Sequence, residues 1–336
     1  MAKVKNEAPK KAAVNSKDEI TDEKLHESST PVTGRPPSHS VELVMLVGCG
    51  CLILFPHLEE IDEVASVRIL SRRIFAESVS VSALAYARFM IAVFIFGVSL
   101  QLLWSEGWVQ VVQYKPGSKL KKCNLVMKGW KTMCPFTSVS WNLLGLYNLL
   151  AAIVAYQVAL GRSPSPALMR LTVIIWETAA PCTLLVASVI RYAIWPNVIK
   201  QGGSTANLKH PRTLIMHNAN VLIALTEIAL LGGLPLRFSE MALAPLYGIL
   251  YVVFSWSMRS RWAAPENGPQ FLYFFFDTTQ GWTTSIALIV LLVVLLVFYV
   301  VMALSIRTLN LLGGESLLWH LAYIVGVCSL VCRVRD

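Results

Sequence analysis

Three polar side chains stand at the openings of three long apolar stretches: Thr137 in 135–160, His217 in 214–234, and Asp277 just before 282–306. A threonine hydroxyl is a weak nucleophile at neutral pH until a neighbouring base removes its proton, and an imidazole with an ordinary pKa of about 6.5 suits that task. A third group that holds the imidazole in one tautomer completes the logic of a hydrolase triad. Asp277, Asn220 and Glu227 are the candidates for it. On a helix, His217, Asn220, Ala224 and Glu227 fall within about 80° of one another, as do Thr137, Ser140, Leu144, Tyr147 and Asn148 on theirs. Two polar stripes facing each other would enclose a narrow polar cavity. The third apolar stretch brings Glu177 and a kink at Pro181, which would either widen this cavity or supply it with a counter-charge. Among the six histidines only His217 lies well inside a long apolar stretch, and there is no HExxH pattern, so neither a metal nor a haem is expected and no cofactor is required.

The elements that must position these residues follow from composition. The chain has 336 residues, 55% hydrophobic and 15% charged, with a mean hydropathy of +0.57; a soluble domain carries about a quarter charged residues. The apolar runs approach or exceed the ~18 to 20 residues that cross about 30 Å of hydrocarbon. The expected fold is an all-α, multi-pass transmembrane helix bundle, which excludes secreted, fibrous and cytosolic classes. Six spans are expected, at 84–104, 135–160, 169–194, 214–234, 241–258 and 282–306, with a seventh if the short run 41–55 crosses. Spans two, four and six enter from one face in either orientation. That parity puts Thr137, His217 and Asp277 at one membrane face and similar depth, where polar groups are costly and mark candidate sites. Trp104, Trp108, Trp130, Trp195, Tyr251, Trp262 and Trp282 near the span ends fit an interfacial aromatic belt, and Arg88 is close enough to an end to snorkel.

Four regions follow. Residues 1–40 form a polar tail with too little apolar surface to fold, expected to be disordered and cytosolic. Residues 41–83 hold the short apolar run and then an amphipathic helix over 58–78 that lies on the bilayer or packs on the protein. Residues 84–306 are the bundle, and 307–336 an interfacial segment whose apolar run 317–331 contains His320. The net charge is +9. If the early run crosses, the six-lysine loop 106–134 joins the basic tail on one face, and this arrangement best satisfies the positive-inside rule. Cys123 and Cys134 are then expected to stay reduced. The seven cysteines show no zinc spacing. An endoplasmic reticulum or plasma membrane location is expected, with membrane lipid as substrate or ligand and no nucleic-acid partner.

Four segments carry a resemblance: Cys134-Pro-Phe-Thr-Ser-Val-Ser-Trp141 continuing to Tyr147, Met216-His-Asn-Ala-Asn220 continuing to Glu227, Leu234-Pro-Leu-Arg237 followed by Pro245 to Trp256, and Phe271-Leu-Tyr-Phe-Phe-Phe-Asp277. In this order and spacing they resemble the androgen-induced protein family and its relatives, the rolling stone proteins, over residues 83–306. In the androgen-induced branch the resemblance implies hydrolysis of fatty acid esters of hydroxy fatty acids, with Thr137 as nucleophile and His217 as general base. Ser140 is a competing hydroxyl. The rolling stone branch implies instead a non-catalytic multi-pass protein that binds lipid or a partner in membrane fusion. A third possibility, a proton or small-solute path, would use Glu177 and Glu227.

Overall fold

The computed structural model describes residues 32–200, 202–314 and 316–336; the tail, up to residue 31, lies outside them. The described chain is the all-α multi-pass bundle that its composition requires. Its helices are α1 (Ser38–Ile53), α2 (Leu58–Val64), α3 (Val67–Leu70), α4 (Val81–Trp104), α5 (Phe136–Ala159), α6 (Pro166–Val189), α7 (Trp195–Lys200), α8 (Ala206–Lys209), α9 (Pro211–Leu214), α10 (Asn220–Ala229), α11 (Leu243–Ser257), α12 (Trp282–Leu312) and α13 (Leu317–Val331). Five helical segments are long and apolar enough to cross a membrane, and the pair α1–α2, bent by 69°, would add a sixth.

The bundle centre is α5 with α4 and α6 on either side. Small residues make this possible: a Cβ on Gly145 would come within 2.6 Å of Ile95, and Ala151, Ala152 and Ala155 are buried along the same helix. Trp141 Nε1 donates to the Ile95 carbonyl at 3.0 Å, and the rings of Tyr147 and Trp176 meet at 4.5 Å. Close backbone approach of this kind is how membrane helices gain packing energy, since lipid is as apolar as their side chains.

Several expectations are corrected. The fourth span is not one regular helix. α9 passes through a π-turn at Ile215–Ala219 into α10, which ends at Ala229 before Gly232, Gly233 and Pro235. The amphipathic helix over 58–78 is two short pieces, α2 and α3, whose Ile61, Val64 and Leu70 are buried in the core. This is the packed alternative, with Asp62 paired to Arg170 of α6 at 2.6 Å. α1 runs along α11 and α12: Ser40 shares a 2.8 Å hydrogen bond with Ser285, and His39 stacks on Trp282, so it starts at the end where α12 starts. α13 is not a segment lying across one end. His320 sits by Phe75 near its start, and Arg333 beyond its end bonds Asn218 at the opposite end of the bundle. Of the expected belt, Trp104, Trp130 and Trp282 are exposed, but Trp195, Tyr251 and Trp262 are buried, filling the protein at the site end.

The loop after α4 holds an element that apolar run lengths did not reveal, an antiparallel hairpin of β1 (Trp108–Val111) and β2 (Asn124–Met127), with Trp108 opposite Met127. Gly107 adopts a φ of +79°, and a Cβ there would overlap the Met127 carbonyl, so the hairpin closes only on glycine.

Arg88 does not snorkel. It is 1% exposed and forms a two-pronged pair with Glu227, Nε to Oε2 at 3.1 Å and Nη2 to Oε1 at 2.5 Å, while Nη1 donates to the Leu70 carbonyl at 2.7 Å. In a hydrocarbon environment neither charge is tolerable alone, so the two sit where each satisfies the other. A Cβ on Gly232 would overlap Arg88 Nη2 and crowd Glu227 Oε1. Gly232→Ala is therefore expected to lower stability by about 1 to 3 kcal/mol as an overpacking change, measured by thermal unfolding of purified protein in detergent; an unchanged midpoint would disprove the crowding.

Candidate active site

Thr137 and His217 come together. Thr137 is the second residue of α5, His217 lies in the π-turn between α9 and α10, and Oγ1 and Nε2 are 3.5 Å apart. That contact is at the long limit of a hydrogen bond and exceeds the ~2.6 to 3.2 Å over which a proton is readily transferred. Nδ1 is buried and has no hydrogen-bond partner among the described residues. With the proton on Nδ1, Nε2 is the acceptor, the tautomer a general base needs. A π-turn offsets the helix by one residue, and such turns are frequent at functional sites.

The turn bearing Thr137 is held by aromatic residues. Phe136 N donates to the Tyr273 hydroxyl at 3.1 Å, Tyr251 OH donates to the Cys134 carbonyl at 2.9 Å, and the Phe136 ring packs on Tyr247 and Tyr251. The run Phe271–Asp277 thus serves the site as a brace. Burial pushes the neighbouring Cys134 thiol up to about 11, which removes it as a rival nucleophile near neutral pH.

The expected third group is not in place. Asp277 is buried, but its Oδ1 accepts from the Thr279 amide at 2.9 Å and hydroxyl at 2.7 Å, and its carbonyl accepts from Thr284. It caps the turn into α12, and among the described residues it makes no bond to His217. Asn220 turns its Oδ1 to the Val221 amide at 2.6 Å. Glu227 is committed to Arg88, and Glu177 lies with Tyr299 beside the Arg237 carbonyl, so neither lines the polar cavity that the helical stripes suggested. Ser140 is buried and shares a 3.2 Å hydrogen bond with Tyr247. The helical stripes aligned these residues by angle, but not by depth: Glu227 lies almost three turns below His217.

Beside Thr137 is a cavity of about 730 Å³. Leu43 and Val47 of α1, Leu185 and Val189 of α6, Ile249 of α11 and Leu292 of α12 are among its walls, and Phe136 and Thr137 form part of its lining.

A second set of contacts was not legible as a motif. Asn218, next to His217, exchanges two hydrogen bonds of 3.0 Å with the backbone of Arg333. Arg191, in a second π-turn at Ile190–Ile194, donates to the carbonyls of Ser329 and Cys332. Trp195 donates to Asp336 at 2.9 Å, and the Arg333 guanidinium lies 5.2 Å over the Trp195 ring. Residues 329–336 thereby clasp both π-turns. The signal was present only as an Asn beside the His and a basic, polar stretch after an apolar helix. Comparison with family models, with curated proteins and with solved structures finds no match to this chain.

Proposed function

We propose that this integral membrane protein is a carboxylic ester hydrolase that cleaves fatty acyl esters, such as fatty acid esters of hydroxy fatty acids, through Thr137 and His217. The observation that carries the proposal is the meeting of the Thr137 hydroxyl, which lines a largely apolar cavity, with an imidazole from 80 positions away in the chain. His217 Nε2 takes the Thr137 proton as Oγ1 attacks the ester carbonyl carbon. The positive end of the 24-residue α5, whose Phe136 amide is already held by Tyr273, would stabilise the oxyanion that develops. The imidazolium then protonates the leaving alcohol, and the acyl-threonine is cleaved by water that loses its proton to His217. The resemblance to the androgen-induced family points to the same pair.

Among the described residues no carboxylate bonds Nδ1, which favours a second reading, a non-catalytic lipid-binding protein with the same cavity. Labelling of purified protein with a fluorophosphonate probe separates the two. Labelling is expected in the wild type and in Ser140→Ala, and absent in Thr137→Ala. A folded wild type that takes no label would leave the binding reading alone.

A further inference from the structure

The cavity beside Thr137 has one charged residue in its lining, Lys115. It lies on the loop between β1 and β2, is exposed, and its Nζ sits 5.0 Å over the Phe274 ring, which also lines the cavity. Among the described residues Lys115 forms no ion pair, although Phe274 holds its head at the rim. At about 730 Å³ the cavity is in the ~300 to 1,000 Å³ range that encloses a ligand of a few tens of atoms. Aliphatic side chains of α1, α6, α11 and α12 and the aromatic rings of Phe136, Tyr251 and Phe274–Phe276 make up most of its walls, while Gln110, Gln113, Asn197 and the lysine add polar groups. A neutral lipid would use the walls and leave the cation idle; a free anion would use the cation and leave the walls idle. A single alkyl chain ending in an anionic head uses both.

We infer that this cavity binds a single-chain amphiphile with an anionic head, carboxylate or phosphate, and that Lys115 is the residue that selects the charge. The alkyl chain lies along Leu185, Ile249 and Leu292, and the head reaches the ammonium at the rim. On the hydrolase reading, on which this clause rests, Lys115 would be the residue that separates the free acid of the ester lipids proposed above from a fully neutral ester. The binding itself does not rest on that reading, and it is measured without turnover.

The experiment uses the full chain in neutral detergent, carrying Thr137→Ala so that no ester chemistry contributes, with tritiated oleate and tritiated oleyl alcohol as probes. Lys115→Met is expected to weaken oleate binding about tenfold, the value of one charge-assisted contact at a solvent-exposed rim, and to leave oleyl alcohol binding unchanged. Lys115→Arg is expected to retain oleate within about threefold. Ile249→Trp, on a half-buried wall position, is expected to weaken both probes. Displacement of oleate by 1-oleoyl lysophosphatidate at more than tenfold lower concentration would assign the seat to phosphate heads, and the reverse order to carboxylates. Equal affinity for oleate and oleyl alcohol in the Thr137→Ala protein, an equal loss of both probes in Lys115→Met, or unchanged binding in Ile249→Trp would each overturn the inference. Loss of hydrolase activity with these binding results intact would leave it standing and refute only the catalytic proposal.

Discussion

His217→Gln is expected to lower ester turnover about a thousandfold, within the ~10² to 10⁴ range that a positioned general base supplies. Glutamine keeps a polar side chain in the π-turn but cannot carry the proton from Thr137 to the leaving alcohol. Thr137→Val, which keeps the branched shape and removes the hydroxyl, is expected to be as severe. Thr137→Ser keeps the nucleophile and is expected to retain activity within about tenfold. The informative contrast is Asp277→Asn. Because Asp277 binds the turn of Thr279 and not His217, its replacement is expected to change turnover by less than about threefold, whereas a true triad carboxylate costs about 10⁴. Turnover of a long-chain p-nitrophenyl ester by purified variants with matched unfolding midpoints checks all four. A His217→Gln protein within threefold of wild type would remove the imidazole from the mechanism.

The largest stability effect is expected at the Arg88–Glu227 pair. Arg88→Met leaves the Glu227 carboxylate, 0% exposed, without its partner. Removing one member of a buried ion pair costs about 3 to 5 kcal/mol, because the other charge stays buried. The double variant Arg88→Met/Glu227→Leu removes both charges and is expected to recover most of that loss, though the Leu70 carbonyl still loses its donor. Thermal unfolding in detergent, run as a double-mutant cycle, measures the coupling. Additive losses would show that the two side chains do not depend on each other. Neither change is expected to alter the intrinsic reactivity of Thr137, because Glu227 pairs with Arg88 and not with His217.

What was legible in the sequence divides by the type of signal. Apolar run length announced α4, α5, α6, α11 and α12, because a span needs little more than length and hydropathy. The parity of crossings brought Thr137 and His217 to one face with no knowledge of packing. Helical angle alone misled for Glu227 and Glu177, since a stripe fixes direction and leaves depth open. Buried ion pairing between distant spans has no local signature, so Arg88 read as a residue near a membrane surface. The π-turns were hidden because a one-residue offset leaves the apolar pattern on either side intact. The hairpin after α4 was hidden by its length, four residues in each strand.

The clasp on Asn218 also sets a timetable. Its partner, Arg333, emerges from the ribosome 115 residues later, which at ~5 to 20 residues per second is roughly 6 to 23 seconds. During that interval His217 already has its place in the chain beside Thr137, but the turn that bears it lacks the bonds that hold it. A nascent chain that has not yet reached Arg333 is therefore inserted without a finished site, so any reactivity of the hydroxyl awaits the translation of residues 329–336.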